Sequence, residues 1–221
     1  MRDKRWAEVD RYLCESLEVG DAALDAALAA NAEAGLPAID VSALQARLLE
    51  LLARMMGARR VLEIGTLGGF STISMARGVG RSGRVITVEA EADHAAVARA
   101  NIARAGLTDV VDLRLGMALD ILPTLVTEAP FDMIFIDADK ESMVAYLDWA
   151  LRLSRIGTVI IGDNVVRSGE VANPRSADPS VRGVQGYLQA MGKNPRLIAT
   201  ALQTVGEKGW DGLAVALVVA D

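Results

Sequence analysis

The sequence predicts an α/β fold in which a mostly parallel sheet ends in an antiparallel hairpin. After Gly57, short runs rich in Val and Ile alternate with segments long enough to form a helix. Strands that are apolar on both faces are typical of a parallel sheet covered by helices. The last two apolar runs are joined only by residues 204–210, a link too short for a helical crossover, so they are predicted to pair as a hairpin.

Composition limits the domain organisation and the possible partners. The 221 residues, of which 52% are hydrophobic and 24% charged, suffice for a sizeable core and exclude a disordered chain. We expect one domain over residues 1–221, with an N-terminal helical segment at 1–57 and an α/β core at 58–221. The net charge of −6 lacks the basic excess typical of nucleic-acid binding, so no nucleic-acid partner is expected.

The sequence also predicts a soluble protein of the cytoplasm. Cys14 is the only cysteine, which excludes an internal disulfide and favours a reducing compartment. The first residues, including Arg2, Asp3 and Lys4, are charged and unlike a secretion signal. No apolar run approaches the roughly 18 to 20 residues needed to cross a bilayer. We therefore expect no membrane partner.

Capping signals predict two helices in the N-terminal segment. Asp21 can cap a helix over residues 22–34. Ser42 and Gln45 have the spacing of a capping box before a helix over 43–56.

The alternating region contains five strand candidates, four crossover helices and the terminal hairpin. The strand candidates are 61–64, 85–89, 110–115, 131–137 and 158–163. The helix candidates are 71–77, 92–105, 118–126 and 141–153. The hairpin strands are 197–202 and 213–219. The polar segment 173–182 follows the fifth strand candidate and is predicted to be a loop that could act as a lid.

A glycine-rich turn follows the first strand candidate. Gly65, Gly68 and Gly69 stand where a strand ends and a helix begins, which is where open α/β sheets bind their ligands. Glycines allow the backbone to approach a nucleotide-like ligand, and the helix N-terminus supplies free amides. The alternative is a tight turn that binds nothing.

Glu89 ends the second strand candidate, where this architecture places a carboxylate that accepts hydrogen bonds from both hydroxyls of a ribose. The alternative is a solvated side chain, since the neighbouring Glu91 and Asp93 are also acidic.

His94, the only histidine, is expected to be exposed and is a poor metal ligand without a second histidine.

Polar side chains follow the fourth and fifth strand candidates at the same edge of the sheet. Asp137, Asp163 and Asn164 offer only oxygen ligands, which suit Mg²⁺ better than zinc. Either group alone could instead cap a helix. Lys140 lies one helical turn after Asp137, so it could act as a base there or serve only as a counter-ion.

These motifs resemble those of the cation-dependent S-adenosylmethionine O-methyltransferases, the family of catechol and caffeoyl-CoA O-methyltransferases, in their bacterial form. The resemblance covers about residues 42–219. It rests on four motifs, which are Leu62-Glu63-Ile64-Gly65-Thr66, Asp137-Ala138-Asp139-Lys140, Gly162-Asp163-Asn164 and Gly209-Trp210-Asp211-Gly212.

The resemblance implies a Rossmann-like class I methyltransferase fold with a seven-stranded sheet, and it implies which residues form the site. The cofactor would be S-adenosylmethionine, bound by Glu63, Gly65, Gly69, Ser71, Glu89, Ala118 and Asp137. The metal, Mg²⁺ or alternatively Mn²⁺ or Ca²⁺, would be held by Asp137, Asp163 and Asn164. Lys140 and Asp137 would be catalytic, with Lys140 as the base.

The implied reaction is methyl transfer to a phenolic oxygen of a small-molecule vicinal diol, by an enzyme that forms a homodimer. Four positions depart from the family pattern without removing a ligand. The family more often has Tyr at Phe70, an aromatic residue at Met143, Pro-Gly-Gly at residues 155–157 and Gly at Trp210.

Two other function classes are compatible with an α/β fold of this kind. A nicotinamide-dependent oxidoreductase would need G-x-G-x-x-G at the first turn, and this spacing is absent. A non-catalytic binding module is possible because fold alone does not fix function. The intact set of Asp137, Lys140, Asp163 and Asn164 argues against such a module.

Overall fold

The computed structural model describes residues 4–220 and contains a seven-stranded mixed sheet with helices around it. The strand order is β3-β2-β1-β4-β5-β7-β6. The strands are β1 Arg60–Ile64, β2 Arg84–Glu89, β3 Val111–Leu115, β4 Met133–Ile136, β5 Val159–Asp163, β6 Leu197–Gly206 and β7 Gly209–Val218. This architecture confirms the predicted fold class.

Eight α-helices lie in the described part of the chain. They are α1 Lys4–Ser16, α2 Ala22–Glu33, α3 Ala43–Met55, α4 Phe70–Val79, α5 Ala92–Arg104, α6 Ala118–Ile121, α7 Met143–Arg152 and α8 Pro179–Lys193. Three 3₁₀ segments accompany them at Leu122–Thr127, Lys140–Ser142 and Arg167–Ala172. None of the helices within residues 4–220 has the length and apolar character needed to cross a membrane.

The described residues group into two compact units. One unit is Asp10–Ile121, and the other comprises residues 4–9 and 122–220. One domain over residues 1–221 stays a prediction, and its ends at residues 1–3 and 221 lie outside the described residues.

The unit Asp10–Ile121 carries the first three strands, paired in parallel. Val61 of β1 is opposite Val85 of β2, and both side chains are fully buried. The predicted helix starts are confirmed. Asp21 accepts hydrogen bonds from the first turn of α2, and Ser42 and Gln45 form the capping box of α3. Strands with apolar side chains on both faces are buried between helices, so these three parallel strands form the core of this unit.

The second unit carries the other four strands. β4 and β5 are parallel, whereas β5 pairs antiparallel with β7, so that Asp163 is opposite Leu213. The hairpin is tighter than predicted, because its strands pair as far as Gly206 and Gly209. β6 is an exposed edge strand, so polar residues such as Gln203 and Thr204 continue the ladder without entering the core.

The predicted loop at residues 173–182 is wrong at its C-terminal end, where α8 begins. Asp178 caps this helix by accepting a hydrogen bond from Ser180 N, and Pro179 opens its first turn. An Asp-Pro pair can mark either a loop or the start of a helix, and Asp178-Pro179 starts a helix. Of the predicted lid, only residues 173–178 remain outside a helix.

Helix α8 fixes the turn that carries Lys140. A Cβ atom at Gly183 would overlap the carbonyl oxygen of Lys140 and lie 2.9 Å from Glu141 Cα. Because both contacts are with backbone, glycine at 183 is what allows the helix to lie directly on this turn.

Gly183→Ala should therefore destabilise the protein by about 1–3 kcal/mol, because the added methyl group overpacks a backbone contact. Urea unfolding measures the change. Gly192→Ala is the matched control in the same helix, where nothing lies within 4 Å of an added Cβ. This control should gain about 0.5–1 kcal/mol from the better helix former. Equal stability of the two variants would contradict the close contact.

Candidate active site

The turn between β1 and α4 is built from residues in unusual backbone conformations. Gly65 and Gly69 have φ values of 97° and 86°, which glycine adopts without strain. Leu67, between them, also has a positive φ, of 50°. Gly69 is the N-cap of α4 and supplies no side chain to cap it. The first amides of α4 therefore have no side-chain cap at Gly69, which suits a ligand carrying acceptor groups.

Glu89 is buried at the end of β2 and holds this turn. Its Oε2 atom accepts hydrogen bonds from Thr66 N at 3.2 Å and from Leu67 N at 2.7 Å. Its Oε1 atom accepts one from Glu91 N at 3.0 Å. With 7% of its surface exposed, Glu89 is not a solvated surface residue, so that alternative is wrong. The carboxylate keeps Leu67 in its strained conformation.

His94 was expected to be exposed, and this expectation is wrong. It is half-buried, with Nδ1 3.5 Å from Glu89 Oε1. The reason is local, since only Ala90 and Glu91 separate Glu89 from α5, and the first turn of that helix therefore lies close to the strand end.

Glu63 is fully buried at the end of β1 and is satisfied by hydroxyl groups. Ser71 Oγ donates to Glu63 Oε1 at 2.6 Å, and Thr87 Oγ1 donates to Oε2 at 2.6 Å. Thr72 Oγ1 also donates to Oε2. A buried carboxylate needs such donors. The structure thus joins Glu63 and Ser71, which the family resemblance placed in one cofactor-binding set, and adds two threonines that were not predicted.

Gly68 is held by a pair of buried asparagines that the sequence analysis missed. Asn101 Nδ2 donates to Gly68 O at 2.9 Å and to Asn31 Oδ1 at 3.0 Å. Asn31 Nδ2 donates in turn to Asp40 Oδ1 at 2.8 Å. A Cβ atom at Gly68 would overlap the Asn31 amide, so this glycine is required by packing. No local signal could have found a pair separated by 70 positions.

Ala118, the predicted neighbour of the adenine, is the first residue of α6 and is largely buried. Gly116 precedes it with a φ of 149° and donates from its backbone N to Glu89 O at 2.8 Å. The backbone just before Ala118 is therefore tied to the end of β2, the strand that carries Glu89.

The second group of predicted residues lies at the ends of β4 and β5. Asp163 is 3% exposed, and its Oδ1 atom accepts a hydrogen bond from Asn164 N at 2.7 Å. Lys140 is also buried, and its Nζ atom donates to Asp137 Oδ1 at 2.9 Å. Within this unit the structure therefore brings the four predicted residues to two adjacent strand ends.

The electrostatics of this group favour a cation. Burial raises the pKa of Asp163 to about 7, and the nearby carboxylates of Asp137 and Asp211 act in the same direction. The hydrogen bond from Asn164 N and the Lys140 ammonium oppose the shift. Three carboxylates thus share the neighbourhood of one ammonium group, and a bound cation would relieve their repulsion.

The donor set fits a hard divalent cation. Carboxylate oxygens of Asp137 and Asp163 and the amide oxygen of Asn164 are the ligand types that Mg²⁺ and Mn²⁺ prefer. Residues 4–220 contain no cluster of three His, Cys, Asp or Glu residues suited to a metal, so any such site depends on Asn164 as well as the carboxylates.

Asp139, the second acid of the Asp-Ala-Asp-Lys motif, is not one of the predicted metal ligands and binds neighbouring protein groups instead. Burial would raise its pKa, but hydrogen bonds from Ser142 and Tyr146 hold the pKa below the usual value. Its Oδ2 atom accepts from Ser142 N at 3.0 Å, and Tyr146 donates to Oδ1. Asp139 therefore caps the 3₁₀ turn and anchors α7.

Comparison with known proteins assigns the family. A family model described as O-methyltransferase matches residues 19–217. The chain is 56% identical over 211 residues to a catechol O-methyltransferase of Mycobacterium tuberculosis, which covers 96% of this chain and 95% of that protein. The chain belongs to the O-methyltransferase family.

Two further comparisons extend this assignment. A catechol O-methyltransferase of Niastella koreensis is 50% identical over 220 residues, covering 99% of this chain and 100% of that protein. The solved structure of the O-methyltransferase from Bacillus cereus in complex with SAH has a TM-score of 0.95 and 53% identity, covering 97% and 99% of the two chains. This O-methyltransferase is therefore an S-adenosylmethionine-dependent enzyme, and the oxidoreductase and binding-module hypotheses are rejected.

The sequence predicts that Glu89 accepts hydrogen bonds from the ribose hydroxyls of the cofactor. On this prediction, Glu89→Ala should weaken cofactor binding at least about tenfold, because charge-assisted hydrogen bonds are worth roughly 1.5–3 kcal/mol each. Titration calorimetry with S-adenosylhomocysteine measures the dissociation constant. Glu91→Ala is the control, because its exposed side chain makes no cap hydrogen bond. The control should stay within about twofold of the parent. An unchanged dissociation constant in Glu89→Ala would exclude Glu89 from the cofactor site.

Asp163→Asn should stabilise the metal-free enzyme at pH 8 by about 1–3 kcal/mol, because it removes a buried charge and keeps an acceptor for Asn164 N. The folded-state pKa of about 7 lies above the usual value of 3.8, so the parent loses stability as pH rises between these values. The gain should therefore be smaller at pH 5.

Urea unfolding at pH 5 and pH 8 measures both differences. Asp120→Asn is the control, an exposed aspartate on α6 whose replacement should change the stability at pH 8 by at most about 0.5 kcal/mol. A destabilised Asp163→Asn enzyme at pH 8 would show that the Asp163 carboxylate is adequately compensated without a cation.

Proposed function

We propose that this O-methyltransferase methylates one hydroxyl of a vicinal-diol phenol and that a divalent cation, Mg²⁺ or alternatively Mn²⁺ or Ca²⁺, takes part. The observation that carries the metal proposal is the excess of negative charge at Asp163, whose pKa is raised by burial and by Asp137. The acceptor class rests on the relatives named as catechol O-methyltransferases.

We assign the cofactor to the turn after β1. Ser71 and the buried Glu63 would lie at its methionine part, with Gly65 and Gly69 leaving room for it. Glu89 would accept hydrogen bonds from the ribose, and its Oε1 atom has fewer protein amide donors than Oε2. Ala118 would line the adenine.

Asp137, Asp163 and Asn164 would hold the cation. When bound, S-adenosylmethionine supplies an electrophilic methyl group and a divalent cation makes a phenolic hydroxyl easier to ionise. Lys140 is buried beside Asp137. Once its ammonium group has released a proton to solvent, the neutral Nζ amine would take up the proton that the hydroxyl releases. Burial of the Lys140 side chain restricts water around the proton that is transferred.

We also propose a homodimer acting in the cytoplasm. The β6–β7 hairpin exposes apolar side chains, including Ile198 at 66% and Leu202 at 58%, which a second copy could cover. Cys14 as the only cysteine is compatible with a reducing compartment.

A methylation assay tests the proposed function. Catechol, caffeoyl and flavonoid diols, each beside its monophenol analogue, are incubated with enzyme and labelled S-adenosylmethionine. Diols should be methylated, activity should disappear in excess EDTA, and Mg²⁺ or Mn²⁺ should restore it. Full activity in excess EDTA would overturn the metal proposal. Equal methylation of monophenols would overturn the acceptor class.

A variant in the same assay isolates the proton transfer. Lys140→Met should lower turnover by about 10²–10⁴ while S-adenosylhomocysteine binding is preserved. Lys193→Met, at the exposed end of α8, is the control and should keep parental turnover. Near-normal turnover of Lys140→Met would leave Lys140 only a counter-ion to Asp137.

A further inference from the structure

The segment that follows β5 has an unusual backbone. We call residues 164–169 the post-β5 loop. Asn164, Arg167 and Ser168 have φ values of 56°, 54° and 54°. Only five non-glycine residues between positions 4 and 220 have a positive φ, and three of them lie in this loop. Asparagine tolerates this region, whereas arginine and serine adopt it only where surrounding contacts enforce it.

Asp211 at the start of β7 supplies those contacts. Its Oδ1 atom accepts hydrogen bonds from Val166 N and Arg167 N, both at 3.0 Å. The backbone adds a third link, because Val165 N donates to Gly212 O at 3.0 Å. Three consecutive amides of the loop are thus bound to Asp211 and Gly212.

Trp210 closes the same loop from its far end. A Cβ atom at Gly169 would lie 2.7 Å from Trp210 Cη2, so the indole ring lies directly against the backbone there. The ring is itself held by Gln203, whose Oε1 atom accepts a hydrogen bond from Trp210 Nε1 at 3.0 Å. The Gly-Trp-Asp-Gly motif therefore clamps the post-β5 loop along its length.

We propose that Asp211 is a positioning residue for the cation site, acting through the post-β5 loop to hold Asn164 in the backbone conformation that lets it complete the ligand set with Asp163. The inference rests on the proposed cation function. Asn164 stands between Asp163, which is fixed at the end of β5, and Val165, the first amide of the clamp. With the clamp intact, its backbone is restrained on both sides.

Asp211 has two distinct effects, which a pair of variants separates. As an acceptor it holds the loop, and as an anion it adds to the negative charge around Asp163. Asp211→Asn keeps an oxygen acceptor and removes the charge, and the loop bonds use only Oδ1. Asp211→Ala removes both. A positioning role therefore predicts near-parental cation affinity in Asp211→Asn and a loss in Asp211→Ala.

The experiment measures Mn²⁺ binding to the enzyme by electron paramagnetic resonance, alongside S-adenosylhomocysteine binding by calorimetry. Asp211→Ala should weaken Mn²⁺ binding at least about tenfold, whereas Asp211→Asn should stay within about threefold of the parent. Cofactor affinity without metal should stay near parental in both variants. Amide hydrogen exchange at Val165, Val166 and Arg167 should accelerate in Asp211→Ala alone.

Asp21→Ala is the matched control. Asp21 also accepts two backbone hydrogen bonds, from Ala23 N and Leu24 N, but at the start of α2. The control should keep parental Mn²⁺ affinity. Unchanged Mn²⁺ affinity in Asp211→Ala overturns the inference, as does equal weakening in Asp211→Asn. If the parent itself binds no Mn²⁺, the proposed cation site fails and the inference with it.

Discussion

A carboxylate withdrawn from water needs hydrogen-bond donors or a cation, and this requirement organises the strand ends of the protein. Glu63 receives three hydroxyl donors, and Glu89 receives three backbone amides. Asp163 accepts a hydrogen bond from Asn164 N and lies near the carboxylates of Asp137 and Asp211. The first two acids are thus held by amide and hydroxyl donors, whereas the third lies among carboxylates whose repulsion a bound cation would relieve.

The same requirement explains why strained turns persist. Leu67 has a positive φ and is bound through its amide to Glu89, while Arg167 has a positive φ and is bound through its amide to Asp211. In each case an acid on one strand holds the turn that follows another strand. A conformation that would be unfavourable in isolation is therefore maintained by a bond from a different part of the sequence.

Sequence patterns predicted features whose causes are local. The β1 candidate at 61–64 agrees with Arg60–Ile64 because Val61, Leu62 and Ile64 lie between Arg60 and the turn that begins at Gly65. Asp21 caps α2 because its side chain reaches the amides that follow it. The prediction of Glu89 at a strand end is confirmed in position, while its role at the ribose stays a prediction, as do the roles of Asp137 and Lys140.

The failures concern features with distant causes. Helix α8 was not predicted, because Gly183 and Gly186 lower the helix propensity of its sequence. Gly183 has a packing role instead, since it lies against the backbone of the turn that carries Lys140. Nothing in the sequence around Asn31 or Asn101 indicates that their side chains form a hydrogen bond with each other. Asp211 belonged to a motif that indicated the family, but nothing in its neighbours showed that it binds the loop after β5.

The edge strand β6 has a consequence for handling the protein. Its 10 residues include no charged side chain and no proline, and residues 198–203 are all exposed. Natural sheets usually protect such edges with charge, proline or a bulge, because an open backbone row can pair with another chain. Where nothing covers β6, concentrated samples would be prone to sheet-to-sheet aggregation. A lysine introduced on β6 would oppose such pairing, because a charge on an edge strand disfavours the approach of a second strand.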